Sequence, residues 1–89
     1  MKKILKFYSP TCGPCKVMSR NLNTLKGVEI QDIDITDDDN ESLMDEWKIR
    51  TVPTVIVLGK NNELLGEFKG VTPIEKIQEV LDGGETTTV

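Results

Sequence analysis

Apolar and polar positions follow one another along this chain in blocks of two different periods. Lys3 to Tyr8 holds Ile4, Leu5, Phe7 and Tyr8, a nearly continuous apolar run that predicts a buried strand ending at Ser9-Pro10. From Pro14 to Lys26 the period changes. Cys15, Met18, Leu22 and Leu25 recur at steps of three, four and three, which is one face of a helix. Pro14 suits its first turn and Gly27 its stop. Val28 to Ile35, rich in β-branched residues, predicts a second strand, with a slip of alternation between Ile30 and Ile33 that a bulge or burial on both faces would produce. Asp37 to Glu41 then opens a second helix, with Asp38 and Glu41 at capping-box spacing and Leu43, Met44 and Trp47 on its apolar side.

Thr54 to Leu58 predicts a third strand and Leu64 to Phe68 a fourth. Gly59-Lys60-Asn61-Asn62 between them supplies the turn of a hairpin. Thr72-Pro73-Ile74-Glu75 has the form of a capping box with proline at the first helical position, followed by Ile77 and Leu81 on one helical face. The order β-α-β-α-β-β-α implies an α/β fold, with helices on both faces of a small sheet. The final hairpin makes that sheet mixed. Residues 1–82 form one expected domain, closed by Gly83-Gly84, and 83–89 an expected flexible tail.

Composition narrows the chemistry. The 89 residues carry a net charge of −4 and no histidine. A net acidic chain without a basic stripe is not expected to bind nucleic acid. The missing histidine excludes Ser-His-Asp triads, Cys-His proteases and imidazole metal sites. With only two cysteines, one chain cannot assemble a four-cysteine zinc site. The acidic run at Asp37–Asp39 lacks the glycine and terminal glutamate of a calcium loop, so capping is expected there and no metal site is assigned. No apolar run approaches the about 18 residues of a membrane span. The opening Lys2-Lys3-Ile4-Leu5 begins like a signal peptide, but its apolar part stops at Lys6, so a cytoplasmic location is expected.

What remains is Cys12-Gly13-Pro14-Cys15, between the first strand and the first helix. Cysteines at i and i+3 in a helical first turn come within disulfide reach. Cys12 falls at the helix N-terminus, where free N–H groups and the macrodipole favour a thiolate. Cys15 falls one turn in, on the apolar face, where burial favours the neutral thiol. Cys12 is thus the candidate attacker and Cys15 the candidate resolving thiol. The dipole, worth about 0.3–1 kcal/mol, is smaller than the about 1.4 kcal/mol of one pKa unit. A larger effect requires hydrogen bonds made directly to sulfur. A structural disulfide and a metal shared between two chains are the competing uses of the pair. The loop is too short for the first to constrain the unfolded chain much, and the rigid turn at Pro14 disfavours the second.

Three segments resemble the thioredoxin family: Pro10-Thr11-Cys12-Gly13-Pro14-Cys15-Lys16, Ile49-Arg50-Thr51-Val52-Pro53-Thr54, and Gly70 after the last strand. Together they span roughly residues 3–82. The resemblance implies a thioredoxin fold, a four-stranded mixed sheet flanked by three helices, and reduction of protein disulfides by dithiol exchange. It implies a cis Val52–Pro53 bond beside the cysteines, with Thr51–Val52 and Gly70–Val71 holding an extended client chain. Thr11, Gly13 and Pro14 complete the expected site. Disulfide-bearing proteins and a flavoprotein akin to thioredoxin reductase are the implied partners. No bound cofactor is implied, since the electrons reside in the cysteine pair, and a monomer is expected.

Two positions depart from the family. Thr11 stands where tryptophan is usual, and Lys6 where a buried aspartate is usual. Lys6 is therefore a candidate proton-transfer residue, but an unpartnered buried ammonium is expensive, so the expectation is that it points outward. The short chain is glutaredoxin-sized, and a glutathione-linked glutaredoxin is one alternative. Its Cys-Pro-Tyr-Cys and Gly-Gly-x-Asp segments are replaced here by Cys-Gly-Pro-Cys and Lys69-Gly70-Val71-Thr72. An accessory binding subunit is the other alternative, and it would not need the cysteine pair.

Overall fold

A computed structural model describes residues 2–82. The expected tail at 83–89 and the helix stop at Gly83-Gly84 lie outside the described residues. The strands are β1 (Lys2–Tyr8), β2 (Val28–Asp34), β3 (Thr54–Leu58) and β4 (Leu64–Lys69). The helices are α1 (Gly13–Leu22), α2 (Glu41–Trp47) and α3 (Ile74–Leu81), with a single 3₁₀ turn at Asp38–Asn40. The sheet order is β2-β1-β3-β4. β1 runs parallel to β2 and antiparallel to β3, and β3 and β4 form the expected hairpin.

Strand alternation sends side chains to two cores. Ile4, Val55 and Val57 meet Met18 and Leu22 of α1 and Ile77 and Leu81 of α3. Leu5, Phe7, Ile33, Ile56 and Leu58 meet Ile49 on the other face, where Leu43, Met44 and Trp47 of α2 pack. β3 is buried along its whole length, which is why its sequence reads as a β-branched run without alternation. The slip in β2 is burial on both faces: Ile30 packs on the first core and Ile33 on the second, over an unbroken register with β1.

Three expected helix ends differ. α1 ends at Leu22, not Lys26. The chain tightens there into turns, with Leu25 N–H donating to Leu22 O at 3.0 Å and the Thr24 hydroxyl donating to Asn21 O at 2.7 Å. Gly27 still takes a positive φ of 73°, but in the connection to β2. The acidic run is capped one residue early: Asp37, not Asp38, accepts from the Asp39 N–H at 2.9 Å. A 3₁₀ turn follows, so the Asp38–Glu41 box does not form. At α3 the cap is Pro73, without a side-chain bond. Thr72 is committed elsewhere: its hydroxyl donates to Gly70 O at 3.2 Å and its N–H to Met18 Sδ at 3.2 Å.

Candidate active site

The topology brings three loops to one end of the sheet. Phe7 near the end of β1 pairs with Thr54 at the start of β3, and Thr54 pairs with Lys69 at the end of β4. The segments 9–12, 51–53 and 70–71 therefore emerge side by side. Each has its own local device. The Cys12 N–H donates to Ser9 O at 3.1 Å, turning the chain out of β1 into α1. After α2, Lys48 adopts a left-handed conformation (φ 54°) and the Ile49 N–H returns to Met44 O at 2.9 Å. That buries Ile49 and directs the chain toward Thr51.

Cys12 is the N-cap of α1, with extended backbone dihedrals, and Pro14 lies in the first turn. The Cys15 N–H donates to Cys12 Sγ at 3.0 Å. This is the direct bond to sulfur that the dipole alone does not provide. Cys12 is half-buried, whereas Cys15 is 3% exposed, one turn before Met18 of the first core. A disulfide joins the two, with their Cα atoms 5.3 Å apart. Thr11, Gly13 and Pro14 are exposed around Cys12, and nothing crowds Gly13 within 4 Å of where a Cβ would stand.

The Val52–Pro53 peptide bond is cis. Pro53 is fully buried, and its carbonyl accepts from the Gly70 N–H at 2.9 Å. Gly70 reaches that position with φ 79°, a conformation that suits glycine because a Cβ would be strained there. The Thr54 hydroxyl donates to Thr51 O at 2.8 Å. Thr51 and Val71 stay exposed and Val52 half-buried. The expected client-binding residues thus form a braced ridge at the cysteine end of the sheet.

Lys6 differs from expectation. It points inward and is 5% exposed. It shares a strand face with Ile4, beneath α1, because residues two apart on a strand point the same way. The ammonium is not alone. Asp32 Oδ1 lies 3.0 Å away, Ser19 Oγ accepts a hydrogen bond from it, and the Tyr8 ring centroid is 5.4 Å off. Asp32 reaches Lys6 because the two are Cα partners in the parallel β1–β2 ladder. Lys6, Ser19 and Asp32 line an open cleft of about 270 Å³ together with Cys12 and Cys15. Ser19 and Asp32 were not among the expected site residues. The available signals are that Ser19 follows Cys15 by one helical turn and that Asp32 follows Ile30 by two strand positions.

Among the described residues no group of three potential metal-ligating side chains comes together, and no helix is long and apolar enough to cross a membrane. A family model described as Thioredoxin matches residues 1–83. The chain is 33% identical over 85 residues to a thioredoxin of Staphylococcus epidermidis, covering 90% of this chain and 79% of that one. It is 30% identical over 79 residues to a thioredoxin of Bacillus subtilis, covering 85% and 75%. The oxidised crystal structure of mitochondrial thioredoxin 3 from Saccharomyces cerevisiae superposes with a TM-score of 0.72 at 27% identity, over 91% of this chain and 77% of that one.

Proposed function

The chain belongs to the thioredoxin family and is a thiol–disulfide oxidoreductase, and from that premise we infer that it works as a reductant of protein disulfides, with Cys12 attacking and Cys15 resolving. The observation that carries this division is the asymmetry of the two sulfurs. Cys12 is the half-exposed cap of α1 and accepts the Cys15 N–H, while Cys15 is buried. A sulfur at a helix N-terminus with a backbone donor is favoured as the thiolate nucleophile.

The Cys12 thiolate attacks one sulfur of the client disulfide. A Cys12–client bond forms, and the second client sulfur leaves as a thiolate and takes a proton from water. Cys15 then attacks Cys12 Sγ, re-forms the Cys12–Cys15 bond and releases the first client sulfur. Two electrons have passed from the dithiol to the client. The ridge at Thr51–Val52 and Gly70–Val71 offers exposed backbone to an extended client segment, in the manner of strand addition. A reductase of the flavoprotein class returns the two electrons. The chain acts as a monomer in the cytoplasm, where thiols are kept reduced.

The test is reduction of a protein disulfide with NADPH and thioredoxin reductase, against glutathione with glutathione reductase. Turnover with the first system and slow turnover with the second is expected, because Lys69-Gly70-Val71-Thr72 has no carboxylate for a glutathione amine. Efficient turnover with glutathione alone would overturn the assignment of the recycling partner.

A further inference from the structure

The active-site cleft contains one buried charge that the exchange reaction does not use. Lys6 is almost completely buried, yet its ammonium is anchored on two sides, by Asp32 Oδ1 at 3.0 Å and by the Ser19 hydroxyl. A lysine ammonium has donors only, so in this arrangement Lys6 is not placed as a proton acceptor. Its position matters in another way. Ser19 lies at i+4 from Cys15 on α1, and residues at that spacing are neighbours on a helix, about 5–6 Å apart at Cβ. The ammonium is thus bonded to the α1 residue one helical turn beyond Cys15, and it lines the same cleft as the resolving sulfur. The other titratable or charged groups facing the cleft are Tyr8, Cys12, Lys16 and Asp32. Asp32 is the one acid, and 56% of its side chain is exposed, against 6% for Lys6. Water screens the carboxylate more than it screens the ammonium, so the field at the sulfurs is positive.

We propose that Lys6, locked by Asp32 and Ser19, is a positioning residue that holds a standing positive charge behind Cys15 and favours the Cys15 thiolate. The consequence falls on the resolving step. Cys15 gives its proton to water in the open cleft. Its thiolate attacks Cys12 Sγ, the Cys12–Cys15 bond forms, the Cys12–client bond breaks, and the client sulfur leaves and is protonated. The same charge stabilises the reduced pair against the disulfide wherever a thiolate is populated, so at high pH the protein is a milder reductant than it would be without that charge. Lys6 acts on the sulfurs through its field and does not touch them.

The proposal rests on the exchange assigned to Cys12 and Cys15, and the experiment separates the two. The full chain, Lys6→Met and Lys6→Arg are each equilibrated with mixtures of reduced and oxidised dithiothreitol, and the disulfide fraction is read by alkylation. At about pH 9, above the ordinary thiol range, the equilibrium constant of Lys6→Met should favour the disulfide about tenfold more than the parent, or about 30 mV more reducing. At about pH 6, well below the ordinary thiol range and with the resolving Cys15 protonated in both, the two proteins should converge. Lys6→Arg, which keeps the charge, should follow the parent at both values. Asp32→Asn, which removes the screened counter-charge, should shift the equilibrium the opposite way and serves as an independent reading if Lys6→Met does not fold. Equal constants for all variants, or a difference that does not change with pH, would overturn the proposal. Failure of the parent pair to exchange with dithiothreitol at all would instead overturn the assignment of the reaction to these cysteines.

Discussion

The Lys6–Asp32 pair is asymmetric in burial, and stability should be asymmetric in the same sense. At 3.0 Å the gross attraction of two unit charges is about 5.5 kcal/mol at an effective dielectric of ~20 and about 1.4 kcal/mol in bulk water. Removing one partner of a fully buried pair costs about 3–5 kcal/mol, because the other charge is stranded. Asp32 is more than half exposed, so water takes over part of its role, and about half that penalty is the reasonable scale. Asp32→Asn should therefore destabilise the oxidised protein by about 1.5–2.5 kcal/mol. For a domain of this size that lowers Tm by roughly 10 °C. Lys6→Met is a different perturbation. It removes the buried charge together with the need to desolvate it, fills similar space with an adaptable apolar chain, and leaves Asp32 in water. Its effect should stay within about 1 kcal/mol of neutral. The double variant should resemble Lys6→Met alone, since with no ammonium to strand the loss of Asp32 costs little. Urea unfolding of the oxidised forms measures all three. If Lys6→Met is as costly as Asp32→Asn, or if the double variant shows the sum of two large losses, the ammonium is not held by this carboxylate.

Three further outcomes follow from the site. Cys15→Ser should accumulate mixed disulfides with client proteins through Cys12, and Cys12→Ser should form none; non-reducing electrophoresis distinguishes them, and trapping through Cys15 instead would reverse the roles. Trp47 packs with Leu43 and Met44 on the face opposite α1, so its emission should change little between the oxidised and reduced forms; a severalfold change on reduction would contradict that placement. Gly70→Ala places a Cβ at φ 79° and should cost about 1–2 kcal/mol in denaturant unfolding, whereas an unchanged midpoint would mean that the bond to the Pro53 carbonyl tolerates another backbone conformation.

Features governed by local pattern were legible in the sequence, and features governed by a distant partner were not. The β-branched run from Thr54 to Leu58 coincides with β3, because burial on both faces demands that composition directly. Pro14 and the apolar spacing of Cys15, Met18 and Leu22 likewise locate α1, because one buried face demands that spacing. The helix caps depart from the sequence pattern where a hydroxyl or carboxylate has a better use nearby. Thr72 has capping-box spacing to Glu75, but its hydroxyl is taken by the Gly70 carbonyl. Lys6 is the clearest case. Its burial depends on Asp32, which becomes its neighbour only through the register of a parallel pair, and a parallel register is set by the crossover rather than by either strand. An ammonium judged without its counter-ion is expected to face water, and with it to face inward.

The strand order has a consequence for how the molecule comes apart. β1, α1 and β2 form one contiguous stretch of chain, and it holds the two cysteines, Lys6, Ser19 and Asp32. The cis proline and Gly70 belong to the other stretch, the β3–β4 hairpin, and they brace each other there. The two stretches meet where β1 lies against β3. Partial opening along that seam leaves each stretch with its own short-range contacts, and the lowest-energy openings of a protein tend to follow such boundaries. In such a state the sulfurs would remain neighbours, able to form or break their bond, while the ridge that grips a client would no longer stand beside them. Electron exchange with small thiols and exchange with protein clients are therefore separable properties of this molecule, and they should be lost at different points along a denaturation curve.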